Sequence, residues 1–289
     1  MDDADVRLLA AMRRDPLGAV SGWAREAGLG DGTARARLAR LKEDGVDRGL
    51  AAVPNGRLFD KEALVCIYPE ATMPWEETLG WDGVIGASVN HEDVLALTCW
   101  VEPGGPPPAG VVDRLGEPAR AFRQEDPPLQ PAGAALSPLQ WRILGAFIAE
   151  PRRAPADLAR DLGVAAKTVR RHRDAFVAGG HVRLEQGLYA ARGDHVLFHL
   201  YAQGAGTHPP EPVRAAVAGD ADAWVEHLIA EPQGVLLFCH ARSLADAAAA
   251  PKRALAVAGV QHAELVISKA GAYDVAGFVA AAAARASTT

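Results

Sequence analysis

Apolar residues recur at helical spacing in two parts of the chain, one near the N-terminus and one near the middle. In both parts the period predicts an amphipathic helix. Each helix should stop before a proline, at Pro16 and at Pro151, because the residue before proline avoids helical geometry. The apolar positions that set the two periods are Val6, Leu9, Ala10 and Met12, and Trp141, Leu144, Phe147 and Ile148.

A short second helix and a basic third helix follow each of these helices. Gly28 and Gly163 stand between them and suit a turn with a positive φ. The third helices begin near Thr33 and Thr168. A short helix, a glycine-bearing turn and a basic helix are typical of a helix-turn-helix unit. The predicted second helices span residues 20–27 and 156–162.

The two parts are copies of one another at a constant offset of 135 residues. The two parts align without a gap, and identical residues and apolar residues both fall at matching positions. A single offset indicates an internal duplication. The matching pairs include Pro16 and Pro151, Gly28 and Gly163, Thr33 and Thr168, Arg35 and Arg170, and Gly45 and Gly180.

Each third helix is followed by a predicted wing, in which a strand, a turn and a second strand form a hairpin. The wings are predicted within residues 50–59 and 181–190. After each wing the apolar pattern predicts the order βαββαβ, which is typical of a ferredoxin-like domain. Its strands are predicted at residues 63–68, 83–89, 94–101 and 120–123, and at 195–202, 223–229, 234–241 and 263–268.

The sequence therefore predicts an α+β chain of two winged helix-turn-helix modules, each followed by a ferredoxin-like βαββαβ domain. A proline-rich stretch between the halves is typical of a linker. The predicted bounds are residues 1–60 and 136–192 for the winged modules, 61–126 and 193–289 for the ferredoxin-like effector and oligomerisation domains, and 127–135 for the linker.

The composition is that of an ordinary globular protein, with 49% hydrophobic and 23% charged residues. No apolar run reaches the roughly 20 residues that a membrane helix needs, and the acidic N-terminus is unlike a secretory signal. We therefore expect a cytoplasmic protein with no membrane partner. Three cysteines stand far apart without CxxC spacing, so we expect no disulfide and no metal site. No GxSxG or HExxH motif is present, and we expect no cofactor and no enzyme activity.

The first third helix and the turn after it resemble those of the Lrp/AsnC family, the leucine-responsive and asparagine synthetase regulators. The residues that carry this resemblance are 33–41 with Gly45 and Val46, and in the second copy 168–173 with 179–181. The order of predicted domains, used twice, is similar to that of the family. The resemblance implies a transcriptional regulator that binds double-stranded DNA, responds to a small-molecule effector such as an amino acid, and forms homo-oligomers.

Cationic residues of the first copy fall on two flanks of the third helix when it is drawn as a helical wheel. Arg35 and Lys42 share one flank, whereas Arg37 and Arg40 share the other. Flanking guanidinium groups suit contacts to phosphates, which position a protein on DNA without reading its sequence. Because the net charge of the chain is −6, DNA binding requires positive charge that is concentrated in this way.

The second copy places cations at the outward centre of its third helix. Lys167 and Arg171 point outward there, and Arg170 lies on a flank. Central cations can donate to guanine, the commonest direct readout of a base. The predicted DNA-binding residues of both copies are Thr33, Arg35, Arg37, Arg40, Lys42, Lys167, Thr168, Arg170, Arg171 and Arg173.

Two alternatives from other classes remain open at this point. Siroheme decarboxylases resemble the same family and occur as paired or fused homologues, and the wing segment at residues 51–57 is loosely similar to theirs. The histidine expected in that segment is missing, since Asn55 and Gly56 stand there. The other alternative is a ligand sensor that acts without DNA.

Overall fold

The computed structural model of the chain describes residues 1–126, 129, 136–189, 195–218 and 223–288. The predicted linker at residues 127–135 lies outside this range except for Leu129. Within the described part of the chain, no helix is both long and apolar enough to cross a membrane. The described helices are α1 (Asp3–Arg14), α2 (Val20–Ala27), α3 (Asp31–Glu43), α4 (Trp75–Thr78), α5 (Ala109–Leu115), α6 (Pro138–Ala149), α7 (Pro155–Leu162), α8 (Ala166–Ala178), α9 (Glu211–Ala218), α10 (Leu244–Leu255) and α11 (Val275–Thr288). The described strands are β1 (Asp47–Pro54), β2 (Glu62–Tyr68), β3 (Val84–Asn90), β4 (Leu95–Val101), β5 (Arg120–Glu125), β6 (Val182–Leu188), β7 (Val196–Gln203), β8 (Ala223–Glu231), β9 (Gly234–Ala241), β10 (His262–Val266) and β11 (Ser268–Tyr273).

Two units of three helices stand where the sequence predicts them, α1–α3 and α6–α8. Gly28 and Gly163 end the second helix of each unit with φ values of 71° and 69°, as predicted for the turn. The first helix of each unit begins with a capping box, in which the side chain at the helix start accepts from the backbone and a side chain three residues later bonds back. These local signals explain why the helix positions could be predicted from the sequence.

The wings differ from the prediction, because neither forms a hairpin of its own within the residues that the structure describes, which leave out residue 190 of the second predicted wing. β1 of the first copy pairs antiparallel with β6 of the second, so each wing supplies one strand to a shared two-stranded sheet. Residues 57–59, predicted as a strand, belong to a 3-10 helix (Gly56–Phe59), whose start is capped by the side chain of Asn55. The turn predicted at residues 185–187 lies inside β6, where Gly187 is opposite Gly49.

The remaining strands form one antiparallel sheet of nine strands within the described residues. Its order is β10-β7-β9-β8-β5-β2-β4-β3-β11. Each copy contributes four strands in the order expected from βαββαβ, and β5 pairs with β8 to join the two sets. The mixed α+β class is therefore confirmed.

The nine-stranded sheet curves until its two ends meet. β10 and β11 lie at opposite ends of the strand order, yet only Ile267 separates them in the chain. The Ile267 carbonyl accepts from the His91 amide at 3.0 Å, and Ser268 Oγ lies 3.1 Å from His199 Nδ1. β11 is an addition to the predicted elements, since Ser-Lys-Ala-Gly-Ala-Tyr lacks a run of large apolar residues. The two strand sets are thus joined at both ends within one chain, whereas self-association between chains stays a prediction.

Acidic residues at the N-terminus fasten α3 to α1. Arg37 Nη1 donates to Asp5 Oδ1 at 2.8 Å and to Asp2 Oδ1 at 2.9 Å, and Arg40 Nη2 donates to Asp5 Oδ2 at 2.6 Å. The Asp5 side chain is fully buried. Because a buried charge needs a partner, these arginines are structural contacts of the first three-helix unit.

Small residues bring α11 against α6. A Cβ atom on Gly145 of α6 would lie 3.5 Å from the Cβ of Ala282 on α11, and Ala282 is fully buried. The alanine tract at residues 280–284 lies within α11. Through this close contact, the C-terminal helix α11 packs on the second three-helix unit.

We predict that Ala282→Leu lowers the free energy of unfolding by about 1–3 kcal/mol, because the added methylenes have no room. Gly145→Ala should leave it unchanged or raise it by up to about 1 kcal/mol, since the new Cβ makes an ordinary contact and alanine favours helix. Urea unfolding followed by circular dichroism measures both. A neutral Ala282→Leu variant would contradict the close packing of α6 on α11.

We also predict a loss of stability in acid that depends on Asp2. Hydrogen bonds from the Asp5 amide and from Arg37 lower the pKa of Asp2 from 3.8 to about 2. A carboxyl group whose pKa is lower in the folded state contributes stability above its unfolded pKa and loses it as the pH falls through the folded one. The thermal midpoint should therefore fall less between about pH 4 and about pH 2 in Asp2→Asn, which keeps a capping side chain, than in the unmodified chain. An equal fall of the thermal midpoint with pH in the two proteins would refute this contribution of Asp2.

A candidate pocket between the two three-helix units

The flank of α3 that carries Arg35 and Lys42 faces α8 of the second unit across a pocket of about 680 Å³. This volume lies in the range of small-molecule sites. The pocket is lined by Met12, Leu17, Gly18, Ala19, Val20, Trp23, Arg35, Leu38, Ala39, Lys42 and Asp47 from the first copy, and by Arg152, Arg153, Ala154, Pro155, Arg170, Arg173 and Asp174 from the second.

The lining reproduces the internal duplication. Seven positions of the first copy line the pocket together with the seven positions that lie 135 residues further along. The pocket therefore lies between equivalent surfaces of the two units. The pairs are Leu17 and Arg152, Gly18 and Arg153, Ala19 and Ala154, Val20 and Pro155, Arg35 and Arg170, Leu38 and Arg173, and Ala39 and Asp174.

Arg152 is held in place by contacts on several sides. Its Nη2 donates to Gln186 Oε1 at 2.6 Å, its Nε donates to the Pro16 carbonyl at 3.2 Å, and its guanidinium lies 5.1 Å from the ring centroid of Trp23. Gln186 in turn donates to Asp47. Although part of the side chain is exposed, burial of the guanidinium lowers the pKa of Arg152, and Asp47 offsets this only in part.

Arg173 is the buried cation of the pocket, with 8% of the residue exposed. Its Nη1 donates to the Arg153 carbonyl at 3.1 Å, and its guanidinium lies 4.9 Å from the ring centroid of Phe147. Burial lowers the pKa of Arg173, and Asp174 acts in the opposite direction. Arg173 is thus a buried cation and Arg152 a partly covered one, and a bound anion would stabilise the charge of both.

The lining carries more positive than negative charge. Six cationic side chains and two acidic ones border the pocket. Arg153 is also paired with Asp161 and Glu150 on the outer side. Arg35, Lys42 and Arg170 are exposed, so they can move toward a ligand. The arrangement can bind an anion that has several acceptor groups.

The predicted DNA-binding residues divide into three groups in the structure. Arg35, Lys42, Arg170 and Arg173 line the pocket. Arg37 and Arg40 bind the N-terminal carboxylates. The other four lie outside the pocket lining, and of them Thr33, Lys167 and Arg171 are exposed whereas Thr168 is half-buried.

Sequence reasoning missed Trp23, Arg152 and Arg153 as members of a site. No role was predicted from the sequence for any of the three. A signal was available in the duplication, because Arg152 and Arg153 replace Leu17 and Gly18 of the first copy. A change from apolar to cationic at equivalent positions marks a surface on which the copies differ.

A second polar cluster lies beneath the shared wing sheet, on the face away from Gln186. Glu185 accepts from Arg183 and from Tyr273 Oη, the latter at 2.5 Å, and lies 3.9 Å from His227 Nε2. Burial raises the pKa of Asp126, which lies 3.6 Å from Arg183. These contacts fasten β6 to β8, β11 and the end of β5.

Comparisons with known proteins give structural neighbours and nothing else. No protein-family model and no curated protein matches the chain. The siroheme decarboxylase NirDL is 18% identical with a TM-score of 0.47, covering 97% of this chain and 99% of that one. Its co-complex with an iron-uroporphyrin III analogue gives 18% identity and a TM-score of 0.46, with 93% and 92% covered. The leucine response regulator LrpA of Mycobacterium tuberculosis is 24% identical with a TM-score of 0.29, covering 40% of this chain and 80% of its own.

The main prediction from the sequence, a DNA-binding regulator without enzyme activity, is wrong. Two solved structures that match nearly the whole chain are those of the siroheme decarboxylase NirDL, whereas LrpA matches 40% of it and AsnC of E. coli matches 46%. The geometry of α3 gives a physical reason, because one cationic flank is bound to Asp5 and the other faces the second unit.

Proposed function

We propose that the pocket between the three-helix units binds a tetrapyrrole with several carboxylates, and that the chain is an enzyme of the siroheme decarboxylase type. This is one of the two alternatives that the sequence leaves open, although the histidine expected in the wing segment at residues 51–57 is missing. The observation that carries the proposal is the cationic lining, in which six cationic and two acidic side chains border the pocket and the hydrogen bonds of Arg152 and Arg173 go to neutral acceptors.

The apolar part of the lining supports a large flat ligand. Leu17, Val20 and Leu38, which are only half-buried, border the same space as the cations. A tetrapyrrole combines an apolar macrocycle with carboxylates at its rim, so it can contact both kinds of side chain at once. Guanidinium groups bind carboxylates through two parallel hydrogen bonds, which fixes the orientation of the ligand as well as its affinity.

The proposed reaction removes the carboxylate of an acetate side chain. The bond between the methylene carbon and the carboxyl carbon breaks, carbon dioxide leaves, and the electron pair stays on the methylene carbon, which takes up a proton to become a methyl group. No oxidant is needed for this balance. Arginines that hold the other carboxylates would keep the ring in place, and an apolar wall would desolvate the carboxylate that leaves.

We also propose that the two three-helix units, with β1 and β6, are winged helix-turn-helix modules turned to ligand binding. The left-handed glycine between the second and third helix of each unit supports this. The two units share one wing sheet, and residues on the facing flanks of α3 and α8 line the pocket.

We predict that Arg170→Gln weakens the binding of the iron complex of uroporphyrin III by about tenfold or more. Loss of a hydrogen bond to a charged group costs about 1.5–3 kcal/mol, and about 1.4 kcal/mol corresponds to tenfold in affinity. Arg171→Gln is the matched control, because Arg171 is exposed on the same helix but lies outside the pocket lining. Titration of the porphyrin absorbance band measures both dissociation constants.

Turnover is tested separately with siroheme, by mass spectrometry of the recovered tetrapyrrole. The expected result is loss of the mass of carbon dioxide, slowed in Arg170→Gln and unchanged in Arg171→Gln. Binding without any loss of carboxylate would refute the enzyme and favour the ligand sensor. If Arg170→Gln and Arg171→Gln change the affinity equally, the porphyrin does not bind in this pocket.

A further inference from the structure

A second cavity, of about 800 Å³, lies where strands β3 and β4 meet the start of helix α11. Its volume is in the range of small-molecule sites. Among the described residues, it shares no lining residue with the pocket between the three-helix units. What this cavity binds is therefore independent of the proposed function.

Three aromatic rings border the cavity. Trp81 and Trp100 are half-buried, so part of each indole stays accessible, whereas Phe278 is buried. The Trp100 ring is held by two neighbours, with its centroid 4.8 Å from that of Phe59 and 5.2 Å from that of Phe278. Arg114 already lies over Trp81, 4.6 Å from the ring centroid. Packed rings of this kind give an apolar surface of fixed position, and their electron-rich faces attract cations.

The glycine- and proline-rich loop at residues 102–108 forms another part of the lining, and neighbouring residues fix it in place. Arg123 Nη2 donates to the Gly105 carbonyl at 2.7 Å. A Cβ atom on Gly83 would lie 3.0 Å from Pro108 Cγ, so the loop packs closely against the residue that precedes β3. The cavity is thus formed before any ligand binds, as is usual for small-molecule sites.

Negative charge predominates in the lining. Among the described residues, three carboxylates and one ammonium group border the cavity: those of Asp82, Glu102 and Asp274, and that of Lys61. Lys61 is paired with Glu102. No ion pair within the described part of the chain engages Asp82 or Asp274, so the lining keeps an excess of negative charge.

Asp274 is fixed at the start of α11. Its amide donates to the Ile85 carbonyl at 2.9 Å, and its Oδ1 accepts from the Gly277 amide at 2.9 Å. A Cβ atom on Gly277 would lie 2.1 Å from Asp274 Oδ2, so the carboxylate lies over a residue that itself borders the cavity. Oδ1 caps the helix, and Oδ2 can accept a hydrogen bond from a ligand.

We propose that this cavity binds a small organic cation, in which an ammonium group is attached to a flat apolar body. The ammonium group donates to Asp274 Oδ2, a charge-assisted hydrogen bond. The apolar body lies against Trp81 and Trp100, whose rings also attract the positive charge. A neutral ligand of the same shape lacks both attractions, and an anion is repelled by Asp82 and Asp274.

The test uses isothermal titration calorimetry of the full chain with three ligands that share an indole ring and differ in side-chain charge. They are tryptamine, which is a cation at neutral pH, tryptophol, which is neutral, and indole-3-propionate, which is an anion. Tryptamine should bind at least about tenfold more tightly than tryptophol, as expected for a hydrogen bond to a charged group. Indole-3-propionate should bind most weakly.

Two variants with matched controls locate the site. Asp274→Asn keeps a capping side chain and should lower the affinity for tryptamine to that for tryptophol. Asp113→Asn should change neither affinity, because Asp113 is exposed on α5 and outside the described lining. Ala281→Phe fills the cavity from α11 and should weaken both ligands at least about tenfold. Ala280→Phe, at the exposed neighbouring position outside the described lining, should weaken neither.

Thermal midpoints show whether each variant folds. A preference for tryptamine that Asp274→Asn abolishes and Asp113→Asn preserves supports the proposal. Tryptamine that binds no more tightly than tryptophol, or not at all at millimolar concentration, would overturn it. Binding that is unchanged by Ala281→Phe would also overturn it, because the cation would then lie elsewhere on the chain.

Discussion

Backbone hydrogen bonds between β1 and β6 join the two copies. The sequence had predicted instead that each wing would form a hairpin within its own copy. A wing that formed its own hairpin would leave the three-helix unit free to turn relative to the rest of the chain. Here each wing strand takes its partner from the other copy, so the two units are held side by side. The pocket, the placement of Arg152 beside Gln186, and the polar cluster under Glu185 all depend on this pairing.

The sequence is informative wherever the signal is local. Capping side chains, left-handed glycines and helical periods lie within a few residues of the structure they specify, so the six helices of the two units and most strands could be placed. The wing pairing could not be predicted in the same way, because the backbone partners of Ala51 and Val53 are Glu185 and Arg183, far along the chain. Strand pairing between distant segments leaves little trace in the local pattern of either strand.

The candidate site shows the same division between local and distant information. The helical wheel placed Arg35 with Lys42 and Arg37 with Arg40, and the structure keeps both pairings. What each flank faces was decided by parts of the chain that the wheel does not contain: the N-terminal Asp5 for one flank and α8 for the other. A basic helix therefore predicts a charged surface, and the neighbours of that surface decide whether it meets nucleic acid, carboxylates or a small ligand.

The duplication also changes what a single mutation can do. When two identical subunits form a site on their symmetry axis, every substitution appears on both sides, and the site is bound to stay symmetric. Here the two sides are encoded separately, so Leu38 and Arg173 can differ although they occupy equivalent places. Covalent fusion of the copies thus allows each half of the site to evolve independently, and an asymmetric site becomes accessible through one substitution at a time.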